Sequence, residues 1–229
     1  MAEGNALAVG IAWYVVFLFS TVLHEASHAL AAKLGGDDTA ERGGQVSLDP
    51  LPHIQREPFG MVLVPILSFF SGGWMIGWAS TPYDPWWADR YPHRAARMAL
   101  AGPLANLLIA VLAAVALRVG MHQGWFVSDI QSFDHLVRAV NGTPQALAQM
   151  LSIAFCLNVF LFAFNLMPLP PLDGSGVIGM FMSESAARQW QNTMRQPALL
   201  MGGILIAWLL FGKVALAVLL FALELAGLR

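Results

Sequence analysis

The stretch that decides the fold joins a long apolar segment directly to a polar cluster: residues 4–28 are GNALAVGIAWYVVFLFSTVLHEASH. The first twenty of these residues carry no charge, and a helix needs about twenty apolar residues to cross a bilayer. No basic segment precedes the stretch, and apolar residues continue to Ala32, so we expect a retained helix rather than a cleaved signal peptide. The stretch therefore predicts a membrane helix with ionisable side chains near one end.

The composition of the whole chain also favours a membrane protein. Of the 229 residues, 57% are hydrophobic and 11% are charged, whereas about 25% are charged in a typical soluble domain. The formal net charge is -2 and Cys156 is the only cysteine, which argues against a nucleic-acid-binding protein, an intrachain disulfide and a cysteine-rich zinc module. We expect the lipid bilayer as a partner, and no nucleic acid.

Four further apolar runs follow the first. They are residues 58–83, 98–117, 139–172 and 196–223, and only Lys213 interrupts them with a charge. Charged residues concentrate in 33–57, where we expect an aqueous loop with a short β-hairpin at 43–48 and a solvated histidine, His53. The pattern contains no internal repeat, so we expect one integral-membrane domain over residues 1–229.

The polar cluster has the pattern H-E-x-x-H, formed by His24, Glu25 and His28. Residues four apart lie on one face of a helix, so both imidazoles can bind the same zinc ion. Glu25 lies about 100° around the helix from His24, where it can accept a proton from water whose pKa the metal lowers toward 7. The non-functional alternative is a pair of helix-end histidines that bind nothing.

A catalytic zinc ion usually has three protein ligands and one water molecule, so a third ligand is needed. In the longer form of the motif, H-E-x-x-H-x-x-G-x-x-H, the third zinc ligand is a histidine six positions after the second. Leu34 occupies that position here, so the chain does not belong to the class of metalloproteases with the longer motif. Glu41 and Glu57 are possible ligands, although both lie among many loop charges. Asp173 is the better candidate, because 34 uncharged residues lead directly to it and the last of them, from Asn165 onward, include three helix-breaking prolines. Taken alone, Asp173 and Gly174 would favour a simple turn at the membrane exit, and only together with the H-E-x-x-H motif do they favour a metal ligand.

Three segments together resemble the core motifs of site-2 proteases, the intramembrane zinc metalloproteases of peptidase family M50. They are HEASH at 24–28, AGPLAN at 101–106 and NLMPLPPLDG at 165–174. The segments VSLDPLPH at 46–53 and GWA at 77–79 resemble the small bacterial branch without a PDZ domain. The sequence departs from that branch at Ser80, where a lysine is usual.

The resemblance implies a zinc ion bound by His24, His28 and Asp173, with Glu25 as the catalytic base. It also implies that two asparagines bind the substrate, and these are Asn106 and Asn165. From its position in the third run alone, Asn106 would equally suit a contact between helices.

The predicted ligands constrain the topology, because His28 and Asp173 must lie on the same side of the membrane. They would lie on opposite sides if the first four runs all crossed. Prolines and glycines interrupt run 58–83, so we expect this run to be re-entrant. Eight of the twelve Lys and Arg residues then fall in loops on the side of the site and three on the other, whereas a fully spanning run gives six against five.

We therefore expect an all-α polytopic membrane protein with about four transmembrane helices, a re-entrant segment and a small cytoplasmic hairpin. The expected location is a bacterial cytoplasmic (inner) membrane, with the site toward the cytoplasm and residue 1 outside. The expected activity is zinc-dependent cleavage of peptide bonds in or near transmembrane segments of membrane-protein substrates. The alternative is a metal transporter or sensor without catalytic activity, but a transporter would spread ionisable groups through the bilayer rather than gather them at one end.

Overall fold

A computed structural model describes residues 3–229, with side chains from residue 6 onward. The first helix, α1 (Glu3–Leu34), extends the first apolar run through the polar cluster without a break. Two short helices, α2 (Thr39–Arg42) and α3 (Pro50–Arg56), follow it in the polar loop. The loop therefore packs on the end of α1 and does not form an extended hairpin.

The β-hairpin predicted at 43–48 is wrong. Gly44 has a φ of 73°, in the left-handed region that favours glycine, and the chain turns there from α2 toward α3. The prediction of a solvated His53 is also wrong, because this residue lies in α3 with 1% of its surface exposed. Its Nε2 atom is 3.0 Å from the carbonyl oxygen of Ser47, a bond that helps hold the turn against α3.

Residues 58–84 enter the molecule and return to the same side. A π-helical turn (Phe59–Leu63) continues into α4 (Val64–Gly72), after which the chain runs back without helical structure. The N–H group of Trp78 donates to the carbonyl of Gly60 at 3.2 Å, and a Cβ atom at position 60 would overlap the carbonyl oxygen of Trp78. This is the re-entrant segment expected from the sequence, and we call its second half, residues 73–84, the returning arm.

The next part of the chain crosses the membrane twice. The short helix α5 (Pro85–Arg90) leads into α6 (Pro92–His122), which packs against α1. An antiparallel hairpin of β1 (Phe126–Ser132) and β2 (His135–Ala139) joins α6 to α7 (Gln145–Asn165). This hairpin lies at the far end of α6 from the 33–57 loop, in a segment where no hairpin was predicted.

The chain ends with α8 (Asp173–Val177), α9 (Glu184–Met194) and α10 (Pro197–Leu225). Within the described residues four helices are long and apolar enough to cross a membrane, and they are α1, α6, α7 and α10. Buried apolar side chains join α1 to α7 around Trp13 and Ile153, and join α6, α7 and α10 around Leu117 and Leu219. The all-α polytopic membrane fold is confirmed. The C-terminal ends of α1 and α7 lie on the same side of the bundle, where His24 and His28 meet Asp173.

Candidate metal centre

Three side chains of the metal-binding type converge where α1 meets α8. The Nε2 atom of His24 is 3.1 Å from one carboxylate oxygen of Asp173, and the Nε2 atom of His28 is 3.3 Å from the other. The two Nε2 atoms are 2.9 Å apart. Among the side chains of residues 6–229, no other three His, Cys, Asp or Glu residues form such a group. The structure therefore brings together the three ligands predicted from the sequence.

The two carboxylates that were considered as alternatives to Asp173 have other partners. Glu41 forms an ion pair with Lys33, with 2.6 Å between Oε1 and Nζ. Glu57 accepts a hydrogen bond from the Ser80 hydroxyl at 2.5 Å. Both residues therefore serve the polar loop and the returning arm rather than the metal centre.

The second nitrogen of each imidazole already has a partner. The Nδ1 atom of His28 lies 2.7 Å from the carbonyl oxygen of Met98, which can only accept, so Nδ1 carries the hydrogen. The Nδ1 atom of His24 lies 2.6 Å from Oδ1 of Asn106 and donates in the same way. When both imidazoles are neutral, the lone pair of each Nε2 atom faces the other Nε2 atom and the carboxylate of Asp173. Such a set of acceptors repels itself unless a cation lies among them, so the residues fit Zn²⁺.

The segment after α7 brings Asp173 to this position. Three prolines at 168, 170 and 171 prevent the helix from continuing, and the chain turns back before α8 begins at Asp173. Glycine is required at position 174, because a Cβ atom there would overlap the backbone of Leu166 and Met167. The prolines and this glycine together fold the chain tightly enough for a residue beyond α7 to meet α1.

Gly102 of α6 faces the two imidazoles directly. A Cβ atom at this position would overlap the Nε2 atoms of both His24 and His28. Only hydrogen in place of a side chain leaves room for the ligand nitrogens, and for an ion between them. Gly102 is therefore required by the site itself and not only by helix packing.

Glu25 is buried beside the ligands and faces the returning arm. The hydroxyl of Thr81 is 2.7 Å from Oε2 of Glu25 and 2.9 Å from its carbonyl oxygen. The arm is held in place by the neighbouring Ser80, whose carbonyl accepts a hydrogen bond from Nε2 of the buried Gln45 at 3.1 Å. Sequence reasoning missed Thr81, because no motif contains it and only the return of the re-entrant segment brings it to Glu25.

A cavity of about 930 Å³ opens beside the metal ligands. The returning arm and the helices α1, α5, α6, α7, α8, α9 and α10 all contribute to its wall, and most of this wall is apolar. The apolar side chains that contribute to it include Ile76, Trp78, Leu161, Phe164, Ile204 and Trp208. Glu25, Thr81 and Asn165 add polar groups to the same wall. The cavity therefore combines an apolar lining with the ionisable groups of the metal centre.

The two predicted substrate-binding asparagines lie in different surroundings. Asn165 lines the cavity, and its role in substrate binding stays a prediction. Asn106 is fully buried behind His24, and its Nδ2 atom donates to Oδ1 of Asn158 at 2.8 Å. Both polar atoms of this amide bind groups of the protein, and a substrate contact of Asn106 stays a prediction.

Comparisons with known proteins bear on this site. The family model described as Peptidase family M50 matches residues 12–210. YwhC of Bacillus subtilis, which carries a provisional name as a zinc metalloprotease, is 33% identical over 165 residues, covering 72% of this chain and 66% of YwhC. Rip2 of Mycolicibacterium smegmatis, named in the same provisional way, is 28% identical over 183 residues, covering 76% of this chain and 61% of Rip2.

The chain spans about two thirds or less of the length of these two relatives. No solved structure matches it significantly. The family model covers most of the chain, and His24, Glu25, His28 and Asp173 all lie within the matched residues. The chain belongs to peptidase family M50.

Proposed function

We propose that this integral membrane protein is a zinc metalloendopeptidase that cleaves peptide bonds in or near the transmembrane segments of other membrane proteins. The observation that carries the proposal is the convergence of His24, His28 and Asp173 beside Glu25, at the wall of an apolar cavity. Membership of family M50 and the provisional names of the two relatives support the same activity.

The three converging side chains would hold the ion, the histidines through Nε2 and Asp173 through its carboxylate. When bound, zinc lowers the pKa of water toward 7 and polarises the carbonyl group of the peptide that is cut. Glu25 is adjacent to His24 in the chain and lies outside the ligand group. It is therefore available to move protons while the other three residues hold the metal.

Glu25 acts as the general base and then as the general acid. It accepts a proton from the water molecule that attacks the peptide carbonyl, and it later donates this proton to the leaving amine nitrogen. The hydroxyl of Thr81 donates a hydrogen bond to Oε2, which helps to fix the position of the carboxylate. The carboxylate returns to its ionised form at the end of each cycle, and no other proton donor is needed.

The proposed cleavage needs an extended peptide rather than an intact helix in the apolar cavity. In a transmembrane helix each carbonyl group is bonded within the helix, so the substrate must unwind locally before attack. The unwound backbone needs polar partners in an apolar surrounding, and Asn165 supplies an amide at the cavity wall. Transmembrane segments with an unstable helical turn are therefore the expected substrates.

We also propose that the protein lies in a bacterial cytoplasmic membrane with the metal centre toward the cytoplasm. Eight of the twelve Lys and Arg residues belong to the segments 33–57, 84–97 and 174–197. These segments flank the metal-centre ends of α1, α6, α7 and α10. Basic residues in short loops favour the cytoplasmic side, which orients the site in the same direction.

The test of this function is the variant Glu25→Gln, purified in detergent and compared with the wild type on a membrane-anchored reporter substrate. General acid-base catalysis contributes roughly 10²- to 10⁴-fold, and we expect cleavage to fall by about that factor while the zinc content stays at one ion per chain. Glu224→Gln, an exposed carboxylate on α10, is the matched control and should cleave normally. Undiminished cleavage by Glu25→Gln would overturn the mechanism, and His24-dependent zinc flux into proteoliposomes would favour a transporter instead.

A further inference from the structure

We propose that Asn106 and Asn158 form a hydrogen-bond relay that fixes the tautomer of His24 and so directs its Nε2 lone pair toward the metal. The relay consists of the Ala154 carbonyl, Asn158, Asn106 and His24. The proposal rests on the proposed function only in that His24 binds zinc. It assigns a positioning role to Asn158, which no sequence motif indicates, and replaces the substrate contact predicted for Asn106.

The relay begins at a backbone carbonyl, which can only accept hydrogen bonds. The Nδ2 atom of Asn158 donates to the carbonyl oxygen of Ala154 at 2.8 Å, and also to the Ser20 hydroxyl at 2.8 Å. The carbonyl contact determines which way round the Asn158 amide lies, because its oxygen cannot face another acceptor. The Oδ1 atom of Asn158 must therefore point away from Ala154.

The orientation of the Asn158 amide then determines the orientation of the Asn106 amide. The Oδ1 atom of Asn158 accepts a hydrogen bond from Nδ2 of Asn106 at 2.8 Å, which turns Oδ1 of Asn106 toward His24. At 2.6 Å from this oxygen, Nδ1 of His24 must be the nitrogen that carries the hydrogen. The unprotonated nitrogen is then Nε2, the atom that lies 3.1 Å from Asp173. Each step follows from the previous one, so a single backbone carbonyl selects the tautomer.

The relay lies in the interior of the helix bundle, where water cannot replace a lost partner. Asn106 and Asn158 are both fully buried, and Ser20 is 2% exposed. The three side chains come from α6, α7 and α1, so the relay is complete only when these helices pack together. His28 differs from His24 here, because it is oriented by the Met98 carbonyl and needs no second side chain.

The test measures zinc affinity in detergent by competition with a chelator, together with the visible absorption of the Co²⁺-substituted protein. Partners that orient a ligand typically contribute 10- to 100-fold to metal affinity, and we expect losses in this range for both Asn106→Leu and Asn158→Leu. We expect Asn106→Asp to bind zinc more tightly than Asn106→Leu, because a carboxylate oxygen still accepts from Nδ1 of His24. Its affinity should stay below that of the wild type, because its second oxygen cannot donate to Oδ1 of Asn158. The Co²⁺ spectrum should change in both leucine variants and lie closer to that of the wild type in Asn106→Asp.

Ser152→Ala is the matched control, because Ser152 is another fully buried polar residue of α7. Its hydroxyl donates to the Ala148 carbonyl and accepts from the N–H group of Leu136. We expect this variant to bind zinc normally, and an equal loss in it would overturn the relay in favour of a general packing effect.

Three other results would also overturn the relay. They are wild-type zinc affinity in Asn158→Leu, wild-type affinity in Asn106→Leu, and failure of Asn106→Asp to exceed Asn106→Leu. A wild-type protein that binds no zinc would contradict the proposed function itself, and a wild type that binds zinc but cleaves nothing would contradict only the peptidase activity. The two proposals therefore fail in different ways.

Discussion

The hydroxyl of Thr81 donates a hydrogen bond to the carboxylate of Glu25, with 2.7 Å between Oγ1 and Oε2. Glu25 belongs to α1, whereas Thr81 belongs to the returning arm, 56 positions further along the chain. The proposed catalytic base is thus held by a segment that enters the membrane and turns back. The site is complete only when this arm packs against α1.

Replacement of Thr81 by valine is expected to lower kcat. Valine has the shape of threonine but no hydroxyl, and hydrogen bonds to charged groups contribute about 1.5–3 kcal/mol, which corresponds to roughly 10- to 100-fold in rate. Zinc content and KM should stay close to the wild-type values, because Thr81 contacts none of the ligands. Thr81→Ser keeps the hydroxyl and should keep most of the activity. A Thr81→Val enzyme with the wild-type kcat would exclude this role.

Local features of the sequence were enough to predict the transmembrane helices and the paired histidines. The spacing of His24 and His28 is a property of one helix, and the absence of charge in each apolar run is a property of one segment. The re-entrant segment was predicted from one long-range requirement, namely that His28 and Asp173 lie on the same side of the membrane. The structure confirms that turn, because Trp78 returns to bond with Gly60.

Contacts between distant segments could not be predicted. Asn106 and Asn158 are 52 positions apart, and Asn158 and Ser20 are 138 positions apart. Asn106 ends the motif at 101–106, but nothing next to these residues in the chain indicates which distant side chains they contact. The prediction of a hairpin at 43–48 was wrong for a related reason. A short polar stretch carries too little periodicity to distinguish a strand from a turn.

Gly102→Ala is expected to displace the metal ligands. The new methyl group would overlap the Nε2 atoms of His24 and His28, so zinc affinity should fall at least tenfold, although alanine favours helix at this position. The measurement is zinc per chain after dialysis, with circular dichroism to verify the helices. Gly212→Ala on α10 has open space around the added methyl group and should bind zinc normally. Full zinc occupancy in Gly102→Ala would contradict the geometry of the site.

The proposed orientation predicts opposite labelling of two engineered cysteines. Ser128 is exposed in β1 and Ser185 is exposed in α9, and the topology places them on opposite sides of the membrane. A membrane-impermeant maleimide should label Ser128→Cys in intact bacterial cells with a permeabilised outer envelope, and Ser185→Cys only in inverted vesicles. The native Cys156 is fully buried and gives little background. The reverse pattern would contradict the orientation, and labelling of both from one side would contradict the four-crossing topology.

Removal of zinc is expected to lower the unfolding temperature of the purified protein. Without a cation the Nε2 lone pairs of His24 and His28 face each other 2.9 Å apart, and the link from α1 to Asp173 is lost. Zinc at 100 times its dissociation constant stabilises the folded state by about 2.7 kcal/mol, which corresponds to a shift of roughly 5–10 °C for a chain of this size. The measurement is thermal unfolding in detergent with and without a strong chelator, followed by addition of zinc.

Two histidine variants make this measurement specific to the metal centre. His24→Ala removes a ligand, so the chelator should no longer change its unfolding temperature. His93→Ala removes a histidine whose Nε2 is 2.8 Å from the Met182 carbonyl, outside the ligand group, so the full chelator effect should persist. Both variants replace a histidine by alanine. A difference between them in the effect of the chelator on the unfolding temperature therefore reflects the ligand role of His24. A chelator effect of equal size in both variants would mean that the stabilising ion binds elsewhere.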